Sequence, residues 1–285
     1  MDDRLKEWYI SGQYLSFEGI NLFVCTRGNG QPVFCLHAFP TSSFDYSLIT
    51  PALTKKYRLY FLDYPGFGFS DKPRIFSYSL LKYADAVEKI IYNFNLQSIW
   101  LISHDIGDSV ALELLKRRSV NIEKLIMLNG SVYSVPFKDP VMWLSQRLWL
   151  NKISGPLISK LRLFRKFFFA RMMNNIFAKV LSKDEIGIFW SLLQFNDGLG
   201  IYHKLMQYMR ERWQYQYEWL DALKRSDIET TLIWGQADPV ATPAVADFVC
   251  KIRPDIRHIK LSNVGHYPHW EEPNLVANFI QEIFR

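Results

Sequence analysis

Short apolar runs alternate with longer amphipathic stretches over the first half of the chain. An opening hairpin of Tyr14–Phe17 and Asn21–Thr26, turned at Glu18-Gly19, precedes runs typical of buried strands: Val33–Leu36, Leu59–Asp63, Ile99–Ser103 and Leu125–Asn129. The stretches between these runs have helical character, and they are Phe44–Leu53, Tyr78–Phe94 and Ser109–Arg118. Strands that alternate with helices predict a mostly parallel sheet with helices on both faces.

The alternation stops after the sixth predicted strand. Residues 131–223 are helical and rich in aromatic side chains, and the alternation resumes with the apolar runs Thr230–Trp234 and Ile256–Leu261. We therefore predict an α/β core formed by residues 1–130 and 224–285, with residues 131–223 inserted as a helical cap.

The composition is that of an ordinary globular protein. The 285 residues are 49% hydrophobic and 22% charged, which is enough to bury a large core. No apolar run approaches the length of about 18 residues that a membrane-spanning helix needs, and the charged start does not resemble a secretory signal. The three widely spaced cysteines, Cys25, Cys35 and Cys250, predict neither disulfides nor a metal site. We therefore expect a cytoplasmic protein.

A carboxylate lies at the apex of a predicted strand–turn–helix, which we call the elbow. The strand that ends at Ser103 leads through His104 into Asp105, and the helix follows. A turn this tight needs small residues two positions before and two positions after its tip, and Ser103 and Gly107 occupy those positions. Asp105 is then either a nucleophile or simply the N-terminal cap of the helix, a position where Asp is also favoured.

Three further segments follow strands in an order that matters for catalysis. One strand ends in His37-Ala38-Phe39-Pro40, a later one in Gly235-Gln-Ala-Asp238-Pro239, and the last in Gly265-His266-Tyr267-Pro268. A nucleophile, an acid and a histidine thus occur in the order Asp105, Asp238, His266, which is the order of a known hydrolase architecture.

These motifs, together with Asp63-Tyr-Pro-Gly-Phe-Gly-Phe-Ser-Asp-Lys-Pro73, resemble those of the α/β-hydrolases, in the branch of the epoxide hydrolases and haloalkane dehalogenases. Within that branch the chain most resembles the mesoderm-specific transcript proteins, from about Gly12 to the end. The resemblance implies an α/β-hydrolase fold with an inserted cap and a hydrolase that needs neither a cofactor nor a metal.

An aspartate at the elbow implies a particular chemistry. The Asp105 carboxylate needs no base to become a nucleophile, and its natural target is a saturated carbon that bears a leaving group, so an alkyl–enzyme ester results. His266, oriented by Asp238, would activate water to hydrolyse this ester. The backbone N–H groups of Phe39 and Ile106 would stabilise the oxyanion of the tetrahedral intermediate.

The resemblance also bears on the leaving group. Dehalogenases of this branch bind halide with a Trp after the nucleophile and often an Asn in the oxyanion loop, where this chain has Ile106 and Phe39. Epoxide hydrolases use cap tyrosines as acids, and Tyr208 matches their second tyrosine segment, although it could simply pack at the cap interface. We therefore expect epoxide opening on a small apolar substrate. The alternatives are a dehalogenase-like hydrolase and a non-catalytic protein that binds a ligand or a membrane.

Three other polar residues are expected to support the site. His37 belongs to the oxyanion loop, and His104 flanks the elbow, where we expect it to hold the turn by hydrogen bonding. Asn129 ends the sixth predicted strand, a position at which some relatives carry the catalytic acid or a halide ligand.

The predicted cap carries an unusual charge pattern. No Asp or Glu occurs between Val141 and Lys183, whereas nine Lys and Arg residues do, in a protein whose net charge is only +6. Aromatic residues are interleaved with these cations, a pattern that could support weak contact with an anionic lipid surface. Alternatively, the aromatic side chains pack on the core and the cations are solvated. No nucleic-acid-binding motif occurs, so we expect no nucleic-acid partner.

Overall fold

The computed structural model describes residues 2–130, 132–133 and 140–285. These residues form an eight-stranded sheet in the order β1-β2-β4-β3-β5-β6-β7-β8. Strand β2 is antiparallel to its neighbours β1 and β4, and all other pairs are parallel. The strands are β1 Gly12–Phe17, β2 Ile20–Arg27, β3 Gln31–Leu36, β4 Tyr57–Leu62, β5 Ile99–His104, β6 Ile122–Leu128, β7 Glu229–Gly235 and β8 Arg257–Leu261.

Helices connect the parallel strands, as the right-handed crossovers of such sheets require. Outside the long segment between β6 and β7 the connecting helices are α2 Thr50–Leu53, α3 Leu80–Asn93, α4 Ile106–Arg117 and α11 Pro243–Ile252. Helix α1 Asp3–Ile10 precedes β1, and α12 Pro268–Glu271 and α13 Pro273–Ile283 follow β8. The central strands β3, β5 and β6 are nearly continuous apolar runs and are mostly buried. This is the pattern of a sheet covered on both faces, so the predicted fold class is confirmed.

The long segment between β6 and β7 is helical wherever the structure describes it. Its helices are α5 Pro140–Leu150, α6 Ser154–Lys160, α7 Lys166–Ile176, α8 Lys183–Gln194, α9 Gly198–Leu205 and α10 Tyr208–Arg225. The predicted first residue of the cap, Ser131, and residues 134–139 lie outside the described residues. Within the described ranges, no helix is both long and apolar enough to cross a membrane.

Some predicted elements differ in detail from the observed ones. The predicted helix Phe44–Leu53 is a 3₁₀ turn, Ser43–Tyr46, followed by the short helix α2. Pro51 explains the break, because a proline has no N–H to donate to the preceding turn. Helix α4 begins at Ile106, three residues earlier than predicted, since the turn at Asp105 leads directly into it. Helix α1 was not predicted.

Candidate active site

Asp105 lies at the tip of the sharp turn between β5 and α4. Its φ of 50° and ψ of −112° are unusual for a non-glycine residue. Crowding explains the small neighbour, because a Cβ added to Gly107 would lie 2.3 Å from the carbonyl oxygen of Leu36. The Asp105 side chain makes no capping hydrogen bond to α4. Its position therefore argues against the helix-cap interpretation.

Two backbone N–H groups belong to the residues predicted to form an oxyanion hole at Asp105. The Phe39 N–H, on the loop after β3, donates to Asp105 Oδ2 at 3.0 Å. Ile106 is the first residue of α4, so its N–H is one of those that find no acceptor within the helix. The two predicted oxyanion residues thus lie on the loop after β3 and at the start of α4, at the same edge of the sheet as Asp105.

His266 and Asp238 form a buried pair beside Asp105. Asp238 follows β7, His266 follows β8, and 2.7 Å separates His266 Nδ1 from Asp238 Oδ2. Burial disfavours the charged imidazolium, but the charge and hydrogen bond of Asp238 outweigh this effect, so the pKa of His266 is raised. The backbone N–H groups of Val240 and Ala241 donate to the other oxygen of Asp238, at 2.7 and 3.2 Å.

Asn129, directly after β6, links that strand to the end of β7, the strand that Asp238 follows. Its Nδ2 donates to Asp238 Oδ2 at 2.8 Å and to the Gly235 carbonyl at 3.2 Å, and its Oδ1 accepts from the Gly235 N–H at 2.7 Å. Asn129 therefore fixes the direction in which Asp238 faces His266.

The two other predicted histidines are buried and hold loops in place. The Tyr64 N–H donates to His37 Nε2, so the ring proton is on Nδ1 and is donated to the Ala38 carbonyl at 2.8 Å. Burial lowers the pKa of His37 to about 3, which keeps the ring neutral. His104 Nε2 lies 2.7 Å from the backbone carbonyl of His266 and ties the elbow to the histidine loop.

One group of side chains in the described part of the chain has donor types that suit a metal ion. Ligand atoms of Asp45, His104 and His269 lie within 4.8 Å of one another, and all three residues are buried. None of the three lines the cavity described next. The group therefore lies outside that cavity.

A cavity of about 490 Å³ ends at Asp105 and His266. This volume lies within the range of small-molecule sites. Its walls are mainly apolar and come largely from the helical insertion, including Met142, Leu144, Trp149, Ile158, Phe164, Met172, Ile176, Tyr202, Met206, Tyr208 and Met209.

Tyr208 is the first residue of α10 and lines this cavity. The side chain is buried, and its ring centroid lies 5.1 Å from that of Phe39. Burial raises the pKa of Tyr208, the Asp105 carboxylate raises it further, and Arg212 opposes the rise. The phenol is therefore protonated at neutral pH and lies in the same cavity as Asp105.

Sequence reasoning missed two residues of this site. Tyr202 on α9 is buried in the cavity wall, with its ring 5.4 Å from that of Phe39. Arg212 on α10 lies one helical turn after Tyr208, with its guanidinium 4.9 Å from the Tyr208 ring centroid and Nη2 3.9 Å from Asp105 Oδ1. The spacing of four residues from Tyr208 is the sequence signal that could have revealed Arg212.

Comparison with known proteins agrees with this architecture. Residues 31–273 match the family model described as the alpha/beta hydrolase fold. The chain belongs to the α/β-hydrolase family. It is 32% identical to the mesoderm-specific transcript protein of Mus musculus, over 94% of this chain and 84% of that protein. It is also 33% identical to the putative hydrolase LipZ of Mycobacterium tuberculosis, over 96% and 95%. These matches confirm the resemblance seen in the sequence.

Solved structures of other proteins match this α/β-hydrolase at the level of the fold. The epoxide hydrolase CorEH superposes with a TM-score of 0.79 at 18% identity, covering 96% of this chain and 98% of that one. The haloalkane dehalogenase DatA of Agrobacterium tumefaciens superposes with a TM-score of 0.84 at 17% identity, covering 96% of each chain. Such low identities establish the shared fold and leave the substrate open.

Proposed function

We propose that this protein hydrolyses a small apolar substrate through an ester on Asp105, with epoxide opening as the reaction. The observation that carries the proposal is the placement of the carboxylate. One oxygen of Asp105 accepts a hydrogen bond from the Phe39 N–H. Asp105 and His266 both line the apolar cavity.

In the first step Asp105 Oδ1 attacks the less hindered epoxide carbon. The carbon–oxygen bond breaks, its electron pair stays on the epoxide oxygen, and Tyr208 gives that oxygen a proton. An alkoxide is a poor leaving group without a proton donor, and a buried phenol with a raised pKa is an acid that stays protonated until the reaction.

In the second step water hydrolyses the ester. His266 takes a proton from water, Asp238 stabilises the imidazolium that forms, and the N–H groups of Phe39 and Ile106 stabilise the oxyanion. Each such donor contributes about 3 kcal/mol in measured oxyanion holes. When the tetrahedral intermediate collapses, the departing diol oxygen takes the proton from His266, and the proton of the Asp105 carboxylic acid returns to the Tyr208 phenolate. The diol and the free Asp105 carboxylate result.

The main alternative is a dehalogenase-like reaction by the same covalent route. A halide leaves as a stable anion and needs only hydrogen-bond donors. The side chains of Ile106, at the elbow, and Phe39, on the loop after β3, are apolar and donate no hydrogen bond to a halide. Because the haloalkane dehalogenase DatA has the same fold, the experiment below also includes a haloalkane. Ligand binding without turnover is the other alternative.

Replacement of Tyr208 separates these reactions. We expect Tyr208→Phe to slow ester formation from 1,2-epoxydecane by about 10²-fold or more, because the general acid is lost, and to leave ester hydrolysis and the reaction with 1-bromodecane largely unchanged. Rapid-quench kinetics measure both steps. Tyr217→Phe, an exposed position on the same helix, is the matched control. Unchanged epoxide kinetics in Tyr208→Phe would rule out this acid, and turnover of bromodecane alone would favour the dehalogenase alternative.

A further inference from the structure

Arg212 is a buried cation beside the reacting carboxylate. Only 11% of its side chain is exposed, and Nη2 lies 3.9 Å from Asp105 Oδ1. Its Nε and Nη2 are buried and have no hydrogen-bond partner among the residues that the structure describes. A buried guanidinium with unused donors is costly unless an anion both neutralises it and accepts its hydrogen bonds.

Ester formation would not satisfy these donors. At 3.9 Å the Asp105 carboxylate compensates the charge of Arg212 without a direct hydrogen bond. When Asp105 Oδ1 bonds to carbon and the electron pair of the broken bond goes to the leaving oxygen, the carboxylate becomes a neutral ester. In the proposed mechanism the negative charge passes to the Tyr208 phenolate, which offers a single oxygen, so Nε and Nη2 of Arg212 still lack an acceptor with two oxygens.

We infer that Arg212 binds a carboxylate that the substrate carries next to its reacting carbon. The planar guanidinium offers parallel donors that match the two oxygens of a carboxylate, and the pairing is strong where water is excluded. Helix α10 packs against α4, which holds Arg212 close to the turn that carries Asp105.

The cavity defines the rest of the ligand. Its walls include Met206, Met209, Trp149 and Phe164, which suit an alkyl chain. This inference rests on the proposed function. It specifies the substrate as a carboxylic acid with an apolar chain, in which the reactive group lies beside the carboxyl end.

Binding of a non-reacting acid tests Arg212 without any turnover. Asp105→Asn imitates the neutral ester and removes the repulsion between Asp105 and a bound carboxylate. We expect Asp105→Asn to bind decanoate at least tenfold more tightly than Asp105→Asn/Arg212→Gln does, by isothermal titration calorimetry. Decanol, which has the same chain and no charge, should bind the two variants within about twofold of each other. Equal affinity of both variants for decanoate would overturn the inference.

A conservative variant guards against a folding defect. Asp105→Asn/Arg212→Lys keeps the positive charge and loses the planar pair of donors, so we expect a decanoate affinity between those of the other two variants. Far-ultraviolet circular dichroism and the melting temperature report whether each variant is folded. If the Gln variant does not fold, the Lys variant decides, and an unchanged decanoate affinity in it contradicts carboxylate binding by Arg212.

Turnover distinguishes failure of this inference from failure of the proposed function. We expect kcat/KM for trans-2,3-epoxydecanoate to exceed that for trans-2,3-epoxydecane by at least tenfold, and Arg212→Gln to remove this preference. Reaction of both epoxides with no preference would refute the role of Arg212 and retain the ester mechanism. If neither epoxide reacts, the proposed function fails, and the decanoate titration still decides whether Arg212 binds carboxylates.

A second inference concerns the surface around the cavity. Large apolar side chains on α5, α6, α7 and the segments that follow them are 41–83% exposed: Val141, Trp143, Leu144, Leu148, Ile153, Leu157, Leu161, Leu163, Phe167, Phe168 and Val180. We call this set the apolar rim. Five of its members also line the cavity, namely Val141, Leu144, Leu148, Leu163 and Phe168. Apolar patches of this kind mark binding surfaces.

The charges around the apolar rim indicate what covers it. Nine Lys and Arg residues and no Asp or Glu lie between Val141 and Lys183. Within the described chain, Arg162 and Lys179 pair with acidic residues, while Lys152 and Lys160 are exposed. We propose that the apolar rim docks on an anionic lipid bilayer, so that the cavity opens toward the acyl chains.

Vesicle binding tests the apolar rim. We expect the full chain to co-sediment with vesicles that contain phosphatidylglycerol at least tenfold more tightly than with pure phosphatidylcholine vesicles. Lys152→Gln/Lys160→Gln should weaken binding by about fivefold for each lysine removed, whereas Lys55→Gln/Lys56→Gln, the same loss of charge on the core, should not. Phe167→Ser should also weaken it, and Tyr92→Ser on α3 should not. Equal binding by rim and control variants, or concentration-dependent dimers that bind no vesicles, would contradict the proposal.

Discussion

At the residue scale, the site depends on how each polar group is satisfied. Asp238 receives the Asn129 amide and two backbone N–H groups, so its carboxylate can face His266 in one orientation. His37 and His104 use their rings to hold backbone atoms, and burial lowers the pKa of each. Among these three histidines His266 is the one whose pKa is raised, which suits the proton acceptor of the proposed mechanism.

The raised pKa of His266 predicts a pH dependence for ester hydrolysis. His266 acts as a base only when neutral, so hydrolysis should slow as the pH falls through its pKa, which the charge and hydrogen bond of Asp238 raise. Attack by Asp105 needs no neutral histidine and should not follow this inflection. Single-turnover rapid quench at a series of pH values measures both rates.

Asp238→Asn provides the control for that profile. Loss of the Asp238 charge removes the main interaction that raises the His266 pKa, so we expect slower hydrolysis with its inflection at lower pH. An inflection at the same pH in both proteins would show that a group other than His266 is titrating.

Sequence motifs locate Asp105, Asp238 and His266 because each follows a recognisable strand within a few residues. Arg212 lies in Tyr208-Met-Arg-Glu-Arg-Trp213, where its spacing of four residues from Tyr208 is the one sequence signal that distinguishes it from Arg210. Burial of Arg212 depends on how α10 packs against α4, which is a tertiary property. Burial of Tyr202 on α9 is likewise a tertiary property, because α9 packs against α6 and α8.

At the element scale, the elbow requires a glycine where α4 crosses β3. A Cβ at Gly107 would lie 2.3 Å from the Leu36 carbonyl oxygen, and backbone atoms cannot move aside easily. We expect Gly107→Ala to destabilise the protein by roughly 1–3 kcal/mol. Urea denaturation followed by tryptophan fluorescence measures the free energy of unfolding.

Gly187 in α8 is the matched control for this substitution. Its added Cβ would meet only the end of the Lys166 side chain, at 3.6 Å. We expect Gly187→Ala to stabilise the protein by about 0.4–1 kcal/mol, because alanine has less chain entropy to lose on folding. A loss of stability in Gly187→Ala equal to that in Gly107→Ala would refute the steric explanation of the elbow.

Element boundaries were less predictable than element types. The strands β3 to β7 are apolar runs flanked by turn residues, so the pattern locates them within a few residues. The predicted helix Phe44–Leu53 is broken because Pro51 interrupts its hydrogen bonding. The prediction followed the apolar pattern and gave this proline too little weight. Helix α1 is charged and short, and its burial of Leu5 and Trp8 becomes visible only in the packed molecule.

At the scale of the whole molecule, the sheet and the insertion have separate roles. The loops after β3, β5, β7 and β8 bring Phe39, Asp105, Asp238 and His266 to one edge, as parallel topology requires. The insertion between β6 and β7 supplies most of the cavity wall and both Tyr208 and Arg212. The fold thus accounts for the proposed covalent step, and the insertion for the choice of substrate.

The most direct test of the central claim is the intact mass of His266→Gln after incubation with 1,2-epoxydecane. Asp105 should still attack the epoxide, but the ester should persist because no base activates water. We predict a mass increase equal to that of the whole epoxide, located on the peptide that contains Asp105 and absent from Asp105→Ala/His266→Gln. An unmodified His266→Gln protein that has nonetheless turned over substrate, or an adduct that remains after Asp105 is replaced, would contradict the Asp105 ester.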